Sequence, residues 1–176
     1  MRRRTDFLQI ITFLLFIWGV FFLEVYGVIN PSNYSVSRDN SIFSIFTGVF
    51  LHGNYGHIVS NTKTLLFTLP LLFWLYPKSK YLIISLGIYL PSAFCYYIGL
   101  NIIGISGLVF ATLWYLILKG IASRNQLKFV VGMVLAIMYS YTLIGITPAA
   151  GPTIAWQAHL AGFMVALGGV LTLKND

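Results

Sequence analysis

The chain has 176 residues, of which 58% are hydrophobic and only 9% charged, against the roughly 25% charged residues of an ordinary soluble domain. That balance excludes a water-soluble globule. The formal net charge of +7 is scattered among long apolar runs instead of gathering on one face, which favours a lipid bilayer as the partner over nucleic acid.

Residues 7–29 form the first apolar run, preceded by Arg2, Arg3 and Arg4. It exceeds the roughly 7–15 residues of a secretory signal core, and no small-x-small cleavage site follows, so it reads as a retained first span. The polar stretch from Asn30 to Ser41 reads as a wet loop. Further apolar runs cover residues 50–76, 81–100, 106–118, 127–146 and 154–173. Backbone groups in hydrocarbon must be bonded within their own segment, and the short alternating strands of a barrel are absent. The expected fold is therefore an all-α membrane protein, six transmembrane helices in one domain over 1–176.

Cationic residues are retained on the cytoplasmic side. With the N-terminus inside, that side receives Arg2, Arg3, Arg4, Lys78, Lys80, Lys119, Arg124, Lys128 and Lys174, and the outer loops receive Arg38. Both termini are then cytoplasmic. The single cysteine, Cys95, cannot close an intramolecular disulfide.

Polar groups at membrane depth are costly to bury and mark function. The fourth run, Ser106 to Lys119, climbs only about 20 Å at 1.5 Å per residue, short of the roughly 30 Å hydrocarbon core. Ser106 is therefore expected at the mouth of a cavity below the outer surface. The sixth run gives about 22 Å from His159 to Lys174, which sets His159 and Ser106 at nearly one level. Asn61 and His57, at the start of the second run, also lie toward the outer leaflet. The small-x-x-x-small patterns Gly107 to Ala111 and Gly162 to Ala166 allow their helices to approach closely. A serine hydroxyl beside an imidazole is the minimum apparatus for an activated nucleophile. His57 and Asn61, at i and i+4, can donate to an oxyanion together with the backbone N–H at Ser106.

These residues fall into motifs. Gly104-Ile105-Ser106-Gly107 resembles the GxSG nucleophile motif of rhomboid intramembrane serine proteases. The stretch from His52 through His57 to Asn61 is similar to that family's histidine, histidine, asparagine signature, and Ala158-His159-Leu160-Ala161-Gly162 resembles its AHxxG motif. The resemblance implies a bacterial-type six-helix bundle in a prokaryotic plasma membrane, with a water-filled cavity open to the outside. It implies Ser106 as nucleophile, His159 as general base and acid, and His57, Asn61 and Ser106 as the oxyanion hole. His52, Gly104, Gly107, Phe110 and Gly162 would support the site. The substrates implied are single-span transmembrane proteins cut near the outer leaflet, with no metal or organic cofactor.

Several positions depart from the family pattern. Phe110 stands where many bacterial members carry a tyrosine that stacks on the histidine. Gly162 to Ala166 replaces GxxxG, and a tryptophan-arginine pair of the first loop is missing. Lys63, two residues past Asn61, has no counterpart in the motif. Asp6, Glu24, Asp39 and Asp176 are not placed to complete a triad, so a Ser-His dyad is expected, its imidazole held by packing against Phe110. Three histidines suit zinc, but that reading leaves Ser106 unexplained. The alternatives are a non-catalytic rhomboid-like protein that binds membrane clients and a small transporter; a transporter would show repeats or paired midplane charges. Gly145, Pro148, Gly151 and Pro152 break the chain between the fifth and sixth runs, which suggests a mobile outer loop and substrate entry past the fifth span.

Overall fold

A computed structural model describes residues 2–173. Lys174 of the basic set and the side chains of Arg2 and Arg3 lie outside the described residues. Seven α-helices and no strand occur among those described: α1 Arg2–Val25, α2 Ser44–Thr47, α3 Tyr55–Leu75, α4 Lys80–Tyr97, α5 Ser106–Ile121, α6 Gln126–Tyr139 and α7 Trp156–Thr172. Short 3-10 turns cover Pro31–Asn33, Gly48–Phe50, Ser140–Ile146 and Pro148–Ala150.

The centre of the bundle is α5. Twelve of its sixteen residues are buried, and it packs against α3, α4, α6 and α7; a helix apolar all round has to be enclosed in this way. In contrast, α1 buries one stripe, Ile10, Leu14, Ile17 and Phe21, spaced to share a face. That stripe packs toward α3, where Trp18 Nε1 donates to Thr62 Oγ1 at 3.1 Å. The opposite faces stay open: Leu15 is 67% exposed, Ile137 73% and Leu171 67%. Apolar surface of this extent is unfavourable in water. Among the described residues, the helices over Arg4–Val25, Tyr55–Leu75 and Gln126–Ile146 are long and apolar enough to cross a bilayer, while Ser106–Ile121 and Trp156–Thr172 are shorter apolar helices.

The basic residues gather at one end. Lys80 Nζ lies 2.5 Å from Asp6 Oδ1 and 4.1 Å from the Phe73 ring centre. Lys128 Nζ sits 4.5 Å over the Tyr76 ring, and Lys119 donates to the Leu173 carbonyl. Arg38, at the other end, donates from Nε to the Tyr96 carbonyl at 3.2 Å.

Two expectations need correcting. The stretch Asn30 to Ser41 is not simply a wet loop: Ser35, Val36 and Ser37 are buried. Much of their backbone is paired within the protein: Val36 exchanges N–H···O bonds of 2.9 and 3.0 Å with Ile102, and the Ser35 N–H donates to the Pro31 carbonyl at 2.9 Å. The Asn40 amide also donates to the carbonyls of Ser32 and Ser35, both at 2.9 Å. The helix bounds differ as well. In the second run the helix starts at Tyr55, not residue 50, because Asn54 caps it, its Oδ1 accepting from His57 N–H at 2.9 Å; such a cap contributes about 1 kcal/mol. In the fifth run α-helix stops at Tyr139, and Ser140–Ile146 tightens into 3-10 turns.

Candidate active site

Ser106 opens α5, and His159 lies in the first turn of α7. The two helices can approach because both carry glycine where they cross: a Cβ on Gly162 would collide with the Gly107 carbonyl oxygen and stand 3.1 Å from Phe110 Cβ. Ser106 Oγ is 2.9 Å from His159 Nε2. The other ring nitrogen, Nδ1, lies 3.0 Å from the Gly145 carbonyl oxygen. A carbonyl only accepts, so Nδ1 carries the proton and Nε2 presents a lone pair. The serine hydroxyl therefore donates to the imidazole, the polarity a general base requires.

Phe110, one turn after Ser106, lies flat on His159, with ring centres 4.1 Å apart and planes 9° from parallel. The imidazole is thus fixed by a ring face and a carbonyl. Gly145 permits both, since a Cβ there would stand 3.0 Å from Phe110 Cζ and 3.6 Å from His159 Nδ1.

A second cluster forms on the α3 side. His52 is 2% exposed and Asn61 6%. His52 Nδ1 is 3.1 Å from the Phe50 carbonyl oxygen, which by the same reasoning leaves Nε2 to accept from Asn61 Nδ2 at 3.2 Å. The backbone N–H of His52 donates to both carboxylate oxygens of Glu24, at 3.2 and 3.1 Å. The His52 and His57 rings meet edge-on, with centres 5.1 Å apart, and His57 lies against Gly104. Among the described residues no hydrogen bond joins His57 or Asn61 to Ser106 or His159.

Gly104 joins the two clusters. Its φ is +108°, and a Cβ there would stand 2.5 Å from His57 Cε1, so only glycine meets both the backbone and the space requirement. Its N–H donates to the Gly48 carbonyl at 3.0 Å, and the turn that follows delivers Ser106 to the start of α5. The N–H groups of Ser106 and Gly107, at that helix start, make no hydrogen bond among the described residues, as expected of the first turn of a helix.

Sequence reasoning missed two participants. Gly145 acts through a carbonyl that every residue type possesses, so its identity carried no signal beyond the helix break. Glu24 is not placed to complete a triad, and its actual partner is the main-chain N–H of His52, which no motif announces. Lys63 is exposed on α3 and takes no part in either cluster.

A sequence model of the Rhomboid domain matches residues 39–175, which takes in both clusters except Glu24. Uncharacterized proteins of Mycobacterium tuberculosis and Mycobacterium bovis are each 26% identical over 176 aligned residues, covering 91% of this chain and 72% of their own length. An uncharacterized protein of Mycobacterium leprae is 27% identical over 145 residues, covering 76% of this chain and 56% of its own. With the Rhomboid match extending over most of an all-helical chain whose longest helices suit a bilayer, this is an integral membrane protein of the rhomboid family.

Proposed function

We propose that the protein is an intramembrane serine endopeptidase that cleaves single-span transmembrane proteins near the outer leaflet. The observation that carries this reading is the Ser106–His159 contact of 2.9 Å, with Nδ1 bonded to the Gly145 carbonyl so that Nε2 is free to take a proton.

Ser106 Oγ attacks the scissile carbonyl carbon while its proton passes to His159 Nε2. The oxyanion takes hydrogen bonds from the N–H at the start of α5 and from His57 and Asn61. Collapse breaks the C–N bond, and His159 returns the proton to the leaving amine. Water then enters, loses a proton to His159 and releases the acyl group from Ser106, which regains its proton. The carbonyl of Gly145 partly balances the imidazolium formed in each half-reaction, in place of a carboxylate.

In this reading α1, α3, α4, α5, α6 with its 3-10 extension, and α7 are six spans of a single domain, with both termini cytoplasmic. That orientation is supported by the cluster of Lys80, Lys119 and Lys128 at one end and the excess of Lys and Arg in the loops assigned there. At about 24 Å, α5 is shorter than the roughly 30 Å hydrocarbon core, which would sink Ser106 below the outer face.

The test is cleavage of a panel of single-span reporters by purified protein in proteoliposomes. The proposal expects at least one reporter to be cut near its outer end by the wild type and not by Ser106→Ala. Cutting that persists in Ser106→Ala would overturn it.

A further inference from the structure

Lys63 sits inside α3, eight residues from Tyr55 and twelve from Leu75, or about 12 Å and about 18 Å from the two helix ends. It is therefore beyond the terminal turns from which lysines reach the polar interface. Its side chain is exposed. Asn61 and Leu65, two residues to either side, are buried; at about 100° per residue, Lys63 points about 160° away from each. Since α3 packs against α1 and α5, Lys63 faces outward, toward lipid.

The other lysines inside or bordering the helices have partners: Lys80 with Asp6, Lys119 with the Leu173 carbonyl, and Lys128 with the Tyr76 ring. Lys63 has none among the described residues. An unpaired cation at the middle of a helix in hydrocarbon is costly to insert. It is relieved by an opposite charge supplied from outside the bundle. What sits there in a bilayer is lipid tail or another transmembrane segment, and of these only a segment can bring a carboxylate to that depth.

Lys63 also has a fixed level relative to the catalytic cluster. It lies six residues below His57 on the same helix, about 9 Å, and His57 is level with Gly104 and the Ser106 turn. Above it on the same side of α3, Gly56 and Ser60 are small and exposed and Val59 is half-buried, which leaves room for a segment running up toward the site.

We propose that Lys63 is a docking residue for substrate: the outward face of α3 binds transmembrane segments that carry an Asp or Glu one to two helical turns to the cytoplasmic side of the bond presented to Ser106. The carboxylate pairs with the Lys63 ammonium, holds the segment against α3 and sets its register. That the segment is a substrate rests on the protease reading. The docking itself does not.

The two are separated by measuring binding and cutting independently. Binding is read in neutral phosphatidylcholine nanodiscs at pH 8, by energy transfer between Ser106→Ala protein and a synthetic single-span Leu/Ala peptide with one Glu at the depth of Lys63. The control peptide carries Gln there. The Glu peptide should bind about tenfold tighter, the scale of an interhelical polar contact in a bilayer. Lys63→Met should abolish the preference, Lys63→Arg should keep it, and Lys63→Glu should transfer it to a peptide with Lys. Thermal unfolding checks that each variant is folded. Equal binding of the two peptides, or a preference that survives Lys63→Met, overturns the proposal. Preferential binding of the Glu peptide without cleavage of matched reporters by the wild type would leave the docking intact and count against the protease reading.

Discussion

Gly104 and His57 touch so closely that any side chain at 104 would enter the imidazole: a Cβ would stand 2.5 Å from Cε1 and 2.9 Å from Nε2, on a backbone whose φ of +108° already selects glycine. The turn that presents the serine and the helix that presents the second cluster are therefore one packed unit.

Gly104→Ala should for this reason strike both stability and activity. Backbone strain of this kind costs about 1–3 kcal/mol, and displacement of His57 adds to it. Thermal unfolding in detergent should show a lowered midpoint, and reporter cleavage should fall through kcat more than through KM. An Ala variant with wild-type values of both would show that the turn is not constrained as described.

The His52–Asn61 bond of 3.2 Å predicts coupled effects. If Asn61 donates to the oxyanion, Asn61→Ala lowers kcat by about 10²–10³. His52→Ala frees the Asn61 amide from its fixed direction and should cost less. The double variant should be no worse than Asn61→Ala alone, since the two act as a unit. Strictly additive losses would indicate separate roles.

Glu24 contributes from a different helix. Glu24→Ala leaves the buried N–H of His52 without its acceptor, a loss of about 1–3 kcal/mol, while Glu24→Gln keeps an oxygen in place. Cleavage and unfolding midpoint should both fall in the Ala variant and largely recover in Gln. Equal damage by both would mean that the negative charge, not the hydrogen bond, is what matters there.

The stacking of Phe110 on His159, with centres 4.1 Å apart, makes a graded prediction. Phe110→Tyr keeps the ring and should retain activity. Phe110→Ala removes a contact of about 0.5–1.5 kcal/mol and leaves the imidazole held by the Gly145 carbonyl alone, so kcat should drop by several-fold to tenfold. Ring dynamics followed by NMR of labelled His159 would report the same loosening.

Substrate entry past α6 is also testable. Among the described residues of α6 only Gly132 and Leu135 are buried, so most of the helix faces outward, in keeping with a helix able to shift. A short cross-link between α3 and α6 should abolish cleavage of a membrane reporter while leaving a small serine-directed reagent able to react. Undiminished cleavage would argue for another route.

Much of this architecture was readable from residue order, and the reason is physical. Apolar runs ended by polar or Gly and Pro breaks mark helices, and seven of them make up the described fold. Ser106 and His159 could be set at one level because rise per residue converts sequence distance into depth. What escaped was non-local backbone chemistry. Burial of Ser35 to Ser37 depends on pairing between Val36 and Ile102, sixty-six positions along the chain, and the acceptors for His159 and His52 are carbonyls of Gly145 and Phe50. The early end of α6 was hidden because Ser140–Ile146 stays largely apolar although its turns tighten.

The central claim is that the Ser106 hydroxyl is activated by His159, and covalent labelling reads it most directly. Wild-type protein in nanodiscs, treated with a fluorophosphonate and digested, should carry the adduct on the Ser106 peptide by mass spectrometry. His159→Ala should suppress that adduct strongly while leaving the fold intact by thermal unfolding. Labelling of Ser106 at an undiminished rate in folded His159→Ala, or an adduct on another residue in the wild type, would contradict the account.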